Sequence, residues 1–233
     1  IALTKVDEDY PDNKLSGAVF EVYSDTNGDG KLDKDDTLLG EMKELDGGVY
    51  QMSELRYGKY LVKETKAPTG FVLDENVYSV SVEENGKTYT VENKAGVGFI
   101  NAAQKGSLKI VKTSSDGKVE GFSFRVTGVD YDQTFKTDKN GEIVIEGLRI
   151  GDYTVSEVSD KASAGYILPA DKQATVKVDA TAIVQMHNEF RDTPKTGDDF
   201  NLGLWVSLAA LSVVGAGVLG FVGYKNRKKK KED

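Results

Sequence analysis

The stretch YLVKE at residues 60–64 places Tyr, Val and Glu at every second position, and it returns as YTVSE at residues 153–157. Side chains alternate between the two faces of a β-strand, so these three side chains share one face in each copy. A second pair of stretches, GAVF at 17–20 and GFSF at 121–124, repeats at a similar spacing. The chain therefore contains two copies of one unit of about a hundred residues, the size of a β-sandwich domain.

The rest of the two units also has the composition of short β-strands. Asn-Gly and Asp-Gly turn signals separate apolar and β-branched runs at residues 19–23, 77–82, 88–91, 143–145 and 174–178. No helical periodicity competes with these runs before residue 200. We predict an all-β fold with two tandem Ig-like sandwich domains, at residues 1–103 and 104–190.

The composition excludes several classes of protein. The 233 residues carry a formal charge of -8 and include no cysteine and one histidine. Thiol catalysis and disulfides are therefore ruled out. A Ser/His/Asp triad or a multi-histidine metal site would have only His187, in a strand-like run, as its imidazole. The acidic excess argues against nucleic-acid binding. We expect a structural protein rather than an enzyme.

The C-terminal part has the order of a membrane anchor. Residues 200–224 contain no charged side chain, and residues 225–233 carry a cluster of Lys and Arg. About 20 apolar residues suffice to cross a bilayer as a helix, and a basic cluster stays on the cytoplasmic side. We predict a linker at residues 191–199, a single transmembrane helix at residues 200–224 and a basic cytoplasmic tail at residues 225–233.

A short polar motif precedes the apolar span and consists of Thr193, Pro194, Lys195, Thr196 and Gly197. With the span and the tail, it resembles the cell-wall sorting signal of Gram-positive surface proteins, whose usual form is Leu-Pro-x-Thr-Gly. Thr193 replaces the leucine, which leaves the class of sortase open. The resemblance implies that a sortase attacks the Thr196 carbonyl, releases the chain from Gly197 onward, and transfers the product to an amine of a peptidoglycan precursor or of a pilin lysine. The alternative is an ordinary single-pass anchor after a chance Pro-x-Thr-Gly.

Three stretches of the first unit carry a further resemblance: LTKVD at residues 3–7, LSGAVF at 15–20 and ETKAPTGF at 64–71. They are similar to the collagen-adhesin B-type, or prealbumin-like, domain of Gram-positive pilins and adhesin stalks, and the last stretch matches the pilin E-box. The second unit keeps Glu157 but has AGY at 164–166 in place of Pro-x-Gly-Tyr. The resemblance implies a prealbumin-like sandwich in which a lysine of the first strand and an asparagine of the last form an amide bond, promoted by a buried acid.

Strand alternation selects the residues that would form these isopeptide bonds. Each is in phase with apolar neighbours two residues away, which directs its side chain into the core. Burial lowers the pKa of a lysine and raises that of a glutamate, so both tend toward the neutral forms that amide formation needs, and no cofactor is required. Asn93 is an alternative acceptor in the first domain. The selected residues are the lysines Lys5 and Lys112, the catalytic acids Glu64 and Glu157, and the acceptors Asn101 and Asn188.

A loop of the first unit has the spacing of an EF-hand-like calcium loop. Short oxygen-bearing side chains at alternate positions wrap a hard cation, and a glycine at the sixth position permits the sharp turn. The alternative is an acidic, solvated hairpin insertion that binds no Ca²⁺. The candidate ligands are Asp25, Asn27, Asp29, the carbonyl of Lys31, Asp33 and Asp36.

These observations together predict a cell-surface protein that is inserted in the membrane before sorting and is then covalently anchored to a Gram-positive wall. The two domains would form a membrane-proximal stalk, and we expect further upstream domains that bind a host or surface ligand. One alternative is a pilin subunit polymerised by sortase. A second is the stalk of a wall-anchored enzyme whose catalytic domain lies upstream.

Overall fold

The computed structural model describes Ile1–Arg191. The predicted sorting motif, transmembrane helix and basic tail lie outside the described residues. Within Ile1–Arg191, no helix is long and apolar enough to cross a membrane. All regular elements in this part of the chain are β-strands, which confirms the prediction of an all-β fold.

The first domain is a sandwich of two four-stranded sheets. Its strands are β1 (Ala2–Asp7), β2 (Val19–Ser24), β3 (Thr37–Glu41), β4 (Lys43–Leu45), β5 (Val49–Gln51), β6 (Gly58–Lys66), β7 (Val77–Val82) and β8 (Phe99–Asn101). The strand orders of the two sheets are β4-β5-β1-β8 and β3-β2-β6-β7. Alternate side chains of both sheets fill one core, in which the Phe20 ring contacts Tyr50 and Phe99 edge to face.

The second domain is built in the same way around a separate core. Its strands are β9 (Lys105–Ser114), β10 (Ser123–Gly128), β11 (Tyr131–Lys136), β12 (Glu142–Arg149), β13 (Gly151–Val158), β14 (Tyr166–Ile167), β15 (Lys172–Val176) and β16 (Thr181–Phe190). The strand orders are β12-β9-β16-β14 and β11-β10-β13-β15. Because each domain buries its own cluster of apolar side chains, the prediction of two sandwich domains is confirmed.

The two domains share their topology. In each, the first and last strands are parallel neighbours, since β1 pairs with β8 and β9 pairs with β16. The repeated YLVKE and YTVSE stretches occupy equivalent strands, β6 and β13. In each, the tyrosine of that stretch donates its hydroxyl to a backbone carbonyl four residues earlier, Tyr60 to Arg56 at 2.8 Å and Tyr153 to Arg149 at 2.9 Å. The sequence repeat is therefore a structural repeat.

The prediction of a strand at residues 88–91 is wrong. This segment passes the first residue of β1, where the Ala2 amide donates to the Tyr89 carbonyl and the Val91 amide donates to the Ala2 carbonyl, both at 2.9 Å. Because it meets only the end of β1, a single bridge forms instead of a ladder. Its alternating pattern reflects partial burial at the sandwich edge rather than membership of a sheet.

A short connection joins the two domains within one compact unit, Ile1–Phe190. The Gln104 amide donates to the Gly70 carbonyl at 2.8 Å, and the Ile150 amide donates to the Gln104 carbonyl at 3.1 Å. The preceding residue, Ala103, forms an isolated bridge with Phe71. The connection is therefore held by backbone hydrogen bonds to both domains.

We predict that Phe124→Ala lowers the free energy of unfolding of the second domain by about 3 to 5 kcal/mol, because it removes a buried ring and leaves a cavity. Phe124 is 0% exposed at the centre of this core. Urea unfolding followed by circular dichroism measures the loss. Val144→Ala on β12 is the control, since Val144 is 56% exposed, and its expected change is below about 0.5 kcal/mol. Equal losses for the two variants would contradict this placement of the core.

Candidate functional site

The candidate lysine and asparagine of each domain lie on neighbouring parallel strands. Lys5 on β1 is in register with Phe99, and Asn101 lies two residues further along β8. The same offset separates Lys112 on β9 from Asn188 on β16. Because residues two apart share one face of a strand, the amine and the carboxamide of each domain enter the same core.

The candidate glutamates enter each core from the opposite sheet, on β6 and β13. The Asn101 Nδ2 donates to both carboxylate oxygens of Glu64 at 2.9 Å. The Asn188 Nδ2 donates to the Glu157 Oε1 at 2.7 Å. All six side chains of the two sets are between 0 and 9% exposed. Acid and acceptor are thus in direct contact in both domains.

Each lysine amine contacts a backbone carbonyl and an aromatic ring rather than a carboxylate. The Lys5 Nζ donates to the Phe99 carbonyl at 3.0 Å and lies 5.3 Å from the centre of the Phe99 ring. The Lys112 Nζ donates to the Thr113 carbonyl and lies 4.4 Å from the centre of the Phe122 ring. These surroundings stabilise a lysine charge far less than water or an ion pair would.

Burial moves the pKa values of the amines and acids toward each other. Desolvation lowers the pKa of Lys5 to about 8 and also lowers that of Lys112. Desolvation raises the pKa of Glu64 and of Glu157. Each domain therefore makes a neutral amine and a protonated carboxyl, the forms that a spontaneous amide bond requires, more accessible at neutral pH than they are in water.

The carboxamide oxygens of both acceptors are buried without a partner. Among the described residues, the Oδ1 atoms of Asn101 and Asn188 are buried side-chain atoms that accept no hydrogen bond. Leaving such an atom unsatisfied costs about 1 to 3 kcal/mol. An unpaired carboxamide oxygen thus occurs at equivalent positions of both domains, and it belongs to the group that the lysine would attack.

The two acids are held differently. The Glu64 Oε2 also accepts the Asp74 amide at 2.8 Å, whereas the Glu157 Oε2 has no partner among the described residues. Asp74 follows the ETKAPTGF stretch, so the loop that begins with the E-box returns to hold its own glutamate. The second domain, in which this stretch is altered, lacks the corresponding hydrogen bond.

Asn93, the alternative acceptor, is engaged elsewhere. Its Oδ1 accepts the Ile100 amide at 2.6 Å, and its Nδ2 donates to the Ile100 carbonyl at 2.9 Å and to the Asp74 Oδ2 at 2.8 Å. Asn93 thus fastens β8 to the loop that holds Glu64, and its hydrogen bonds include neither Glu64 nor Lys5. Sequence reasoning missed Asp74, because a contact made through a loop leaves no strand periodicity.

His187 lies apart from both clusters. On the exposed face of β16, its Nδ1 is 2.8 Å from the Thr113 Oγ1 and its Nε2 is 3.1 Å from the Glu189 Oε1. Neither of these partners belongs to the buried sets of lysine, glutamate and asparagine. The histidine is therefore a solvent-facing strand residue with polar neighbours.

The acidic loop connects β2 and β3 and is folded by its own side chains. The Asp25 Oδ2 accepts the Gly30 amide at 3.2 Å, the Asn27 Oδ1 accepts the Asp29 amide at 3.0 Å, and the Asp29 Oδ1 accepts the Lys31 amide at 2.9 Å. Such side-chain-to-backbone bonds shape a turn whether or not a cation is bound.

Two further observations bear on a metal in this loop. Asp25 is buried, and its Oδ1 has no hydrogen-bond partner among the described residues. However, within Ile1–Arg191 no group of three acidic, histidine or cysteine side chains is close enough to hold a metal ion. The donor atoms are oxygens, as Ca²⁺ prefers, but they would have to turn inward together. Calcium binding stays a prediction.

The chain has matches among known domains and structures. A family model described as the SpaA prealbumin-like fold domain matches residues 1–95 and 106–190. Among solved structures, the chain is similar to the Bacillus anthracis TIE protein, with a TM-score of 0.58 and 24% identity over 82% of this chain. The chain spans 33% of the length of that protein. This likeness supports the fold.

Two pilin structures match more weakly. GBS52, the minor pilin of Streptococcus agalactiae, has a TM-score of 0.37 and 17% identity, over 84% of this chain and 99% of that one. The shaft pilin SpaA of Lactobacillus rhamnosus GG has a TM-score of 0.35 and 16% identity, over 82% of this chain and 97% of that one. None of the curated proteins compared with the chain matches it.

We predict that Ca²⁺ gives a binding heat in titration calorimetry and raises the melting temperature, because the cation would satisfy the Asp25 carboxylate. Asp25→Asn removes a charged ligand and should weaken binding by at least about tenfold. Asp35→Asn is the matched control, since Asp35 is an exposed acid of the same loop outside the candidate ligand set. The absence of any heat with the unaltered protein would favour the solvated hairpin.

Proposed function

The chain belongs to the family of SpaA prealbumin-like fold domains, and on this premise we propose that it is the stalk of a surface protein anchored covalently to a Gram-positive wall. Each domain is closed by an amide bond between its first and last strands, Lys5 to Asn101 and Lys112 to Asn188. The role is structural, and adhesion belongs to domains that the stalk presents.

One observation supports this proposal above the others, the recurrence of a buried amine, carboxyl and carboxamide at the same register in both domains. Burying a charged or unpaired polar group costs several kcal/mol. A fold that carries this cost twice, at equivalent places, is explained when the three groups react. The amide bond removes the lysine charge and converts the asparagine carboxamide into part of the link. The product therefore no longer carries the cost of burying these two groups.

The reaction balances without a cofactor. The neutral lysine amine attacks the carboxamide carbon of the asparagine, a new C–N bond forms, the bond to Nδ2 breaks, and ammonia leaves with a proton from the amine. Rotation of the carboxamide by half a turn brings its Oδ1 to the glutamate, whose protonated carboxyl then donates to it and relays the proton. Fixed geometry in a folded core supplies an effective molarity on the order of 10⁵ M or more for this single turnover.

The bond stabilises each domain in two ways. It closes a loop of nearly the whole domain, which the chain-entropy relation values at about 4 to 5 kcal/mol. It also lets a pulling force pass from the first strand to the last through a covalent link, so that the sheets need not unfold. Both effects suit a stalk that contains no cysteine and hence no disulfide.

Attachment to the wall is the second part of the proposal. The segment from Thr193 to Gly197 would be cut by a sortase after Thr196, with the apolar span holding the chain in the membrane until then. These residues lie outside the described ones, so this part is supported by the sequence and by the family to which the two domains belong.

We predict that the intact mass is about 34 Da below the mass of the sequence, because each bond releases one ammonia of about 17 Da. Lys5→Ala, Glu64→Ala and Asn101→Ala should each restore about 17 Da after correction for the substitution, and the equivalent changes at Lys112, Glu157 and Asn188 should restore the other half. Mass spectrometry of intact protein and of peptides measures this.

Lys109→Ala is the control for these variants, because Lys109 lies on the other face of β9 and pairs with Glu142 at 2.7 Å. It should keep the full deficit. An unaltered mass for the parent protein would refute both cross-links. A deficit that persists in Asn101→Ala would exclude Asn101 as the acceptor of the first domain.

We predict that Thr196→Ala abolishes covalent attachment to the wall and leaves the protein in the membrane fraction, because the carbonyl that sortase attacks is no longer recognised. Wall and membrane fractions of a Gram-positive host, compared by immunoblot, report the result. Asp192→Ala, a change immediately before the motif, serves as the control and should keep normal attachment. Equal wall attachment of Thr196→Ala and the parent would leave the ordinary single-pass anchor.

A further inference from the structure

A single arginine of the second domain reaches into the first. The Arg149 Nη1 donates to the Asp7 Oδ2 at 2.7 Å and its Nη2 donates to the Asp7 Oδ1 at 2.9 Å, while Nη2 also donates to the Asp9 Oδ2 at 3.0 Å. The guanidinium lies 4.9 Å from the centre of the Tyr10 ring and 5.8 Å from that of Phe71. The Arg149 side chain is 14% exposed and that of Asp7 is 3% exposed. This is a bidentate, largely desolvated ion pair between the domains.

Asp7 belongs to the strand that carries the first lysine. It lies two residues after Lys5 on β1, on the same face, and is in register with Asn101 on β8. A buried carboxylate at this place stabilises positive charge on the neighbouring amine, since charges interact strongly where water is excluded. An ammonium is not a nucleophile. The charge of Asp7 therefore opposes the reaction unless another group balances it.

We infer that Arg149 is a positioning residue for bond formation in the first domain, because it neutralises Asp7 and so leaves the Lys5 amine free to lose its proton and attack Asn101. This inference rests on the proposed function, since it concerns the rate of the proposed amide bond. Arg149 touches none of the reacting atoms and acts through Asp7.

The charged groups around Lys5 and Asp7 are consistent with this role of Arg149. Burial lowers the pKa of Lys5, whereas the charges of Glu64, Asp74 and Asp7 each act to raise it. Burial alone would raise the pKa of Asp7, but hydrogen bonds from Arg149 and from the backbone hold that pKa below its ordinary value. Asp7 thus stays ionised, and its balance depends on Arg149. Asp9, the other acid of the cluster, also pairs with Lys105 at 3.2 Å.

The second domain has no equivalent ion pair beside its reactive lysine. Ser114 occupies the position after Lys112 that Asp7 occupies after Lys5, so no carboxylate stands at that position. Asp116, whose charge does act on Lys112, accepts hydrogen bonds from the Ser114 and Tyr166 hydroxyls within the same domain. Arg56 takes the place of Arg149 in the first domain, as the shared tyrosine hydrogen bond shows, and it is exposed. Formation of the Lys5–Asn101 bond therefore depends on the second domain, whereas formation of the Lys112–Asn188 bond does not depend on the first. The first domain forms its bond at the full rate only after the second has folded and docked, although the first is synthesised earlier.

The test follows both cross-links in one molecule. The full chain and its Arg149→Gln variant are made by cell-free synthesis at neutral pH, samples are quenched in denaturant, and peptide mass spectrometry gives the cross-linked fraction at each site over time. We expect the Lys5–Asn101 bond to form about tenfold more slowly in the variant, because the unbalanced Asp7 charge keeps a larger share of the Lys5 amine protonated. The Lys112–Asn188 bond should keep its rate, which shows that the second domain has folded.

Two further measurements separate an electrostatic role from a merely structural one. At about pH 10 the amine is deprotonated in both proteins, and ionisation of Glu64 slows both reactions alike, so the two rates should converge. Adding Asp7→Asn to Arg149→Gln removes the unbalanced charge and should restore the parental rate at neutral pH. Arg56→Gln is the matched control and should leave both rates unchanged.

Each other result overturns the inference. Equal rates for the parent and Arg149→Gln, a difference that persists at high pH, or failure of Asp7→Asn to restore the rate would each exclude the role of Arg149 while leaving the cross-links in place. A parent protein that never forms the Lys5–Asn101 bond would refute both the inference and the proposed function for that domain.

Discussion

The parallel pairing of the first and last strands is the constraint on which each domain depends. It joins residues that are almost a whole domain apart in sequence, and such a contact carries a large cost in chain entropy. The ladder in the second domain extends from Thr181 opposite Ser107 to Asn188 opposite Ser114. That of the first domain extends only from Lys5 opposite Phe99 to Asp7 opposite Asn101. The first domain therefore needs more help to keep its ends together.

That help comes from side chains that surround the short ladder. Asn93 binds β8 through hydrogen bonds to the Ile100 backbone, and Glu64 accepts a hydrogen bond from Asn101. Arg149 of the neighbouring domain donates to Asp7 at the end of β1. Each of these contacts is polar and at least partly buried, so its electrostatic attraction is stronger than that of an equivalent contact at the surface. The low dielectric that strengthens them is the same condition that shifts the amine and acid toward neutrality. Stability and the proposed reactivity thus have a common physical origin in this core.

Strand alternation was sufficient to predict that the six candidate side chains enter the cores, because the period of two is a local property of the chain. The two lysines, two glutamates and two asparagines are all buried. Asp7 shows the limit of the method. It is in phase with Lys5 and so could have been recognised as buried, but its partner comes from the other domain, and docking of two domains leaves no trace in either strand pattern. The loop contact of Asp74 and the lone bridge near residue 90 escaped for the same reason, since both depend on how segments meet rather than on their own sequence.

The short connection between the domains has a consequence for elasticity. β9 begins at Lys105, shortly after Asn101 ends β8, and most of the path from Asn101 to Lys112 is already extended strand. With both amide bonds formed, this path is the only backbone between the two links, and its contour length is about 40 Å at most. A chain already near full extension has little slack to give. The two domains would therefore behave as a stiff connection that extends little under load and transmits an applied force without dissipating it.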